Sequence, residues 1–288
     1  MRLGLPLLVW TLVLWPGAIW ISHLAAGDAE SFWTEVTGND PILDTGPMWF
    51  VAVLLAYSLA YAGWRAWRRR TAGAVRSAPQ PSGPLSGRTL VALAAGISAT
   101  TALVRLIFPL ASNEIFQSHL WQWPQFVAMF GFGIAAAQRG WLNPVSDRIR
   151  RGCGLAALGG VAAWGLLELA VAVTGGNPDV VFDPGFHWAS LGMAAIEGPL
   201  AVGAAVWLLG LAQRHLDRRP GSLARAMARS AYGAFLLQGV VLIGLMVALR
   251  PLALPAEVKA LAVAGLGVAG SFALAWVLVS RTRLGRIL

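Results

Sequence analysis

The stretch Gly46–Arg70 reads GPMWFVAVLLAYSLAYAGWRAWRRR. Its first nineteen residues, Gly46 to Trp64, carry no charge, and four of the next six are arginines. A helix of ~20 apolar residues spans a hydrocarbon core of ~30 Å at ~1.5 Å per residue. A basic cluster at one end marks the end that stays cytoplasmic during insertion. Segments of the same kind recur along the chain, at roughly 3–24, 46–67, 88–110, 120–138, 152–174, 186–212, 229–250 and 257–280.

The connections between these segments alternate in charge. The first carries Asp28, Glu30, Glu35, Asp40 and Asp44, the third Glu114, and the fifth Asp179 and Asp183. The second carries Arg65, Arg68, Arg69, Arg70, Arg76 and Arg88, and the fourth has Arg139, Arg148, Arg150 and Arg151 against Asp147. The sixth has Arg214, Arg218, Arg219, Arg225 and Arg229 against Asp217, and the tail ends in Arg281, Arg283 and Arg286. Of twenty-two Lys and Arg residues, nineteen fall on one side and only Arg105, Arg250 and Lys259 fall toward the other. The chain is therefore expected to be an all-α, polytopic integral membrane protein of about eight spans. Both termini are expected to be cytoplasmic, and one domain is expected over residues 1–288.

Composition agrees with that class: 57% of residues are hydrophobic and 12% charged, against ~25% charged in soluble domains. The net charge of +9 does not point to nucleic acid, because it is spread over short loops rather than gathered on a soluble face. A single cysteine, Cys153, leaves no internal disulfide. The first apolar run is longer than the ~7–15-residue core of a secretory signal, so it is expected to be a retained helix. Residues 71–87, with Pro79, Pro81 and Pro84, are expected to form a flexible loop, and a short helix is expected around 29–37. Gly131, Gly133, Gly159, Gly160, Gly265, Gly267 and Gly270 are expected to seat helices closely.

Ionisable groups within spans carry the functional signal, since burying one costs ~2.5–3.5 kcal/mol even on an insertion scale. Glu197 falls near the middle of the sixth segment, Glu168 in the outer half of the fifth and Arg105 near the outer end of the third. Glu197 suits a proton acceptor, an anchor for an acceptor substrate, or a partner for Arg105. His23, His119 and His187 lie at outer ends, without the spacing of a metal site. Among them His119 has the setting best suited to chemistry, beside Gln117, Trp121 and Gln122. Trp33, Trp49, Trp121, Trp123, Trp141 and Trp188 fall near expected interfaces, as aromatic belts do, and a sugar-binding role for some of them is the alternative.

Three stretches resemble the membrane-bound acyltransferase 3 family. They are Thr101–Leu142, TALVRLIFPLASNEIFQSHLWQWPQFVAMFGFGIAAAQRGWL; Gly46–Arg65, with its Trp49-Phe50 pair; and Ala195–Gln238, AIEGPLAVGAAVWLLGLAQRHLDRRPGSLARAMARSAYGAFLLQ. The opening MRLGLPLLVW is similar to the Arg-Leu-x-x-Pro segment that begins the family's third helix. The resemblance implies an enzyme that transfers an acyl group, often acetyl from acetyl-CoA, from a cytoplasmic acyl-CoA to a hydroxyl. The acceptor it implies is an envelope carbohydrate or a lipid-linked molecule at the inner, cytoplasmic membrane, with no tightly bound cofactor. By depth and resemblance, Glu197 and His119 are the catalytic candidates. Arg105, Trp49, Trp121, Gln238 and Tyr232 are the substrate-binding ones.

The chain also departs from the family. The family's Arg-x(10)-His and Phe-Phe-x-x-Ser-Gly segments, from its first two of ten helices, do not occur, and its Tyr-Leu-x-His is Phe235-Leu236-Leu237-Gln238. Three expectations follow: a gene start placed too late, an inactive truncated paralogue or partner subunit, or a small-molecule transporter. The transporter reading lacks a visible repeat between residues 1–140 and 141–288.

Overall fold

The computed structural model describes residues 3–28, 31–34, 46–71, 83–108, 119–141, 144–175, 186–216 and 221–282. These residues are helical nearly throughout. Eight long helices cover the eight apolar segments: α1 (Gly4–Ala26), α2 (Trp49–Thr71), α3 (Gly87–Arg105), α4 (Trp123–Arg139), α5 (Asp147–Val173), α6 (Trp188–His215), α7 (Ser222–Leu249) and α8 (Ala256–Arg281). All but α4 are long and apolar enough to cross a membrane. Helix α4 has 17 residues, about 25 Å of α-helix, and a 3-10 turn at Leu120–Gln122 precedes it. Of the short helix expected at 29–37, residues 32–34 are helical, Ser31 is not, and the rest lies outside the described residues, as do most of 71–87, Glu114 and Gln117.

Local chemistry sets the helix ends. Ser86 caps α3 by accepting from the Thr89 N–H at 3.2 Å, and the His187 ring caps α6 by accepting from Ser190 N–H at 3.3 Å. Helix α3 stops at Arg105, earlier than the apolar run suggests, because Pro109 follows in the sequence and disfavours helix before it. Arginines 68, 69 and 70 fill the last turn of α2, where cations complement the helix dipole. Helix α1 contains a π-turn at Trp10–Leu14, in which the Trp15 N–H reaches back five residues to the Trp10 carbonyl. Pro16 follows directly, and a proline cannot donate into the ladder of the turn before it.

The chain forms two compact units. One comprises α1, α2 as far as Gly63, α7 and α8. Its core is Trp10, Met48, Val51 and Leu236, with Trp15, Tyr232 and Phe235 against it. Trp10 is 1% exposed and stacks on Trp15 at 5.9 Å. The N-terminal apolar run thus contributes Trp10 to this core, while Leu8, Leu12 and Val13 on the same helix are exposed. Gly46, at φ +46°, lies where a Cβ would strike the Trp15 indole.

The other unit comprises α2 from Trp64, with α3, α4, α5 and α6. Leu90, Ile97, Cys153, Val202 and Val206 form its core, and Cys153 is the small buried residue expected of it. Of the glycines expected at helix contacts, Gly160 meets Leu200, Gly267 meets Leu242 and Gly270 meets Val241. Gly131, Gly133, Gly159 and Gly265 face open space, so in them the small residue seats no neighbouring helix among the described residues.

Candidate functional site

The site begins with a local defect in α6. Pro199 lies inside that helix and has no N–H to give the carbonyl of Ala195, four residues earlier. The Ser98 hydroxyl of α3 donates to that carbonyl instead, at 3.3 Å. Next to the proline, Gly198 lets the two helices approach: a Cβ there would run into the Ala94 carbonyl oxygen and the Ser98 hydroxyl. The tripeptide Glu197-Gly198-Pro199 thus draws α3 onto α6 just where α6 carries its acid.

Arg105 ends α3 and is 2% exposed. Its Nη2 donates to Glu197 Oε1 at 2.5 Å. Of the readings open for Glu197, a partner for Arg105 is the one the geometry displays. Each charge holds the other in place: removing one partner of a buried pair typically costs ~3–5 kcal/mol, far more than the net worth of the intact pair. The Arg105 guanidinium also lies over the Trp121 ring, 5.3 Å from its centre. Trp121 was expected first as a belt residue, and here its indole is half-buried against a cation.

His119 stands two residues before Trp121 and meets it edge to face, with ring centres 6.2 Å apart. It is the one non-glycine residue with positive φ, +46°, among the described residues. This conformation turns the chain into the Leu120–Gln122 turn, and Pro124 then opens α4 with a preset helical φ. Backbone strain of this kind costs about 1–3 kcal/mol and collects at functional sites.

Four polar atoms of the cluster are buried without a hydrogen-bond partner among the described residues: Arg105 Nε and Nη1, Trp121 Nε1 and, one turn before Arg105, Thr101 Oγ1. Three of these can only donate. Buried polar groups are nearly always satisfied, so a concentration of donors around one guanidinium suits a ligand that brings acceptor oxygens. With Glu197 already balancing the Arg105 charge, a neutral acceptor such as a carbonyl or hydroxyl oxygen fits better than a second carboxylate. Thr101 gave no signal in the sequence, although its spacing of four from Arg105 puts both on one helix face.

The remaining candidates fall elsewhere. Trp49, Tyr232 and Gln238 belong to the other unit. Trp49 meets Phe50 edge to face, Tyr232 packs on the Trp10 core, and Gln238 lines a cavity between α7 and α8. Glu168 accepts from the Trp164 indole N–H at 2.9 Å on an exposed face, a structural contact within its own helix. No group of three metal-ligating side chains exists among the described residues.

A multi-pass helical membrane protein with a buried arginine–glutamate pair inside one helical unit is the class these features define. The acyltransferase 3 family model, described as an acyltransferase domain, matches residues 1–280, and the chain belongs to that family. No curated protein and no solved structure matches it. Membership makes the chain a membrane acyltransferase in general terms.

Proposed function

We propose that the protein moves an acyl group, most simply acetyl, from a cytoplasmic acyl-CoA to a hydroxyl of an envelope carbohydrate or lipid-linked acceptor at the inner membrane. The observation that carries this reading is the Arg105–Glu197 pair, buried in a chain of the acyltransferase family and accompanied by buried donors that have no partner among the described residues. A hydroxyl is a weak nucleophile, and its attack on a thioester needs a base to take the proton. Glu197 and His119 are the bases of the cluster. The thioester C–S bond breaks, the ester C–O bond forms, and the proton ends on the thiol of CoA. Arg105 Nε and Nη1 would take the thioester or acceptor oxygen as charge develops on it. The arginine clusters of the basic loops would meet the CoA phosphates, with the termini on that cytoplasmic side.

The test is transfer of radiolabelled acetyl from acetyl-CoA by the full chain reconstituted with envelope lipid and glycan extract. Label should enter a hydroxyl-bearing acceptor, and Arg105→Lys should lower the rate on the order of 10²-fold. A wild-type protein that binds acetyl-CoA and yields no ester would defeat the catalytic reading. A catalytically inactive subunit is the second reading. It is favoured by Gln238, which stands in the place of a histidine.

A further inference from the structure

Three bases break the charge pattern of this chain, and only Arg105 has a carboxylate partner. Arg250 and Lys259 lie at the turn between α7 and α8, at the end away from the basic loops. Arg250 Nη1 donates to the Ala25 carbonyl at 3.0 Å, and Lys259 Nζ donates to the Arg250 carbonyl at 3.2 Å. Neither has a carboxylate within ion-pair distance among the described residues. Both line one cavity of about 960 Å³. From the two cations it runs along α7 and α8 past Leu242, Met246, Ala264 and Phe272, with Gln238 and Ser271 as the polar side chains deeper in its wall. The Ser271 hydroxyl is already committed to the Gly267 carbonyl at 2.6 Å.

The cavity therefore has a long apolar body and a doubly cationic mouth. Its lining on α7 extends from Ala231 to Arg250, about 28 Å at the rise of an α-helix, so it follows the membrane normal over most of a ~30 Å hydrocarbon core. Carbonyls anchor the two cationic side chains, and no carboxylate among the described residues compensates their charge. Cations on this side work against the usual insertion bias, so their presence is not explained by orientation. An apolar chain with an anionic head is the complement of such a shape, and guanidinium and ammonium together suit a phosphate.

We propose that the α7–α8 cavity binds a phospholipid of net negative charge, its headgroup on Arg250 and Lys259 and its hydrocarbon along Leu242, Met246 and Ala264. The site does not depend on acyl transfer and stands or falls separately from it.

Native mass spectrometry of the detergent-purified full chain, titrated with palmitoyl-oleoyl phosphatidylglycerol and with the zwitterionic phosphatidylcholine of the same chains, tests this. Phosphatidylglycerol should be retained roughly tenfold or more in preference to phosphatidylcholine. The double variant Arg250→Gln/Lys259→Gln should lose the preference, and Ala264→Phe, which keeps both cations and fills the apolar body, should lower retention of either lipid. A thermal melt of each variant shows whether it is folded; should the double variant fail, the single Lys259→Gln is read in its place, with a partial loss expected. Equal retention of the two lipids by wild type would overturn the proposal, as would full preference in a folded double variant. So would displacement of phosphatidylglycerol by millimolar inorganic phosphate, which would identify a free anion, or occupation of the cavity by a second copy seen as a dimer without lipid.

Discussion

Arg105 and Arg250 lie at corresponding ends of helices α3 and α7, on the side of the sequence that is poor in bases, and are treated in opposite ways. Arg105 is buried, bonded to an acid from another helix and covered by an indole. Arg250 is exposed and bonded only to a backbone carbonyl. The difference lies in what faces each of them. Helix α6 offers Arg105 a glutamate at a point where glycine and proline bring the helices together, whereas α8 offers Arg250 a lysine. A cation met by an acid becomes a fixed part of the interior, while a cation bonded only to a backbone carbonyl keeps its full charge.

That contrast can be broken at its strong end first. Arg105→Ala leaves Glu197 buried without a partner and should cost about 3–5 kcal/mol. A thermal melt in detergent measures it, and Arg105→Met combined with Glu197→Leu should recover most of the loss. Gly198→Ala forces a methyl group against the Ala94 carbonyl and should cost about 1–3 kcal/mol, with a matching fall in melting temperature. Ser98→Ala withdraws the donor from the Ala195 carbonyl that Pro199 cannot serve and should cost about 0.5–1.5 kcal/mol. Arg250→Gln should change stability by no more than about 0.5 kcal/mol, as exposed substitutions do. A loss at Arg250 as large as that at Arg105 would erase the distinction.

The spans were legible because a bilayer imposes length and charge asymmetry on any chain that crosses it. Arg105 and Glu197 were legible as candidates because ionisable groups at that depth are scarce. Their pairing was one of several open readings, since sequence separation of 92 residues says nothing of which helix faces meet. Trp121 read as an interfacial residue because its position in the sequence is interfacial. Its stacking on Arg105 follows from a left-handed turn at His119, a conformation that histidine adopts more often than most residues but still rarely. The burial of Trp10 carried no signal in the sequence, because it depends on Gly239, where a Cβ would strike the Trp10 ring. Thr101 and the two cations at the α7–α8 turn gain meaning only from the atoms around them.

The π-turn of α1 holds one residue more than the helical repeat requires. Each residue turns a helix by about 100°. A single-residue deletion within Trp10–Leu14 would therefore close the ladder into regular helix and swing residues 4–9 by roughly that angle relative to Trp15–Ala26. Leu3 and Leu7, which now flank the Trp10 core, would turn away from it while the segment kept its length and apolar character. The chain could still cross the bilayer, but the two halves of its first helix would no longer address the same neighbour.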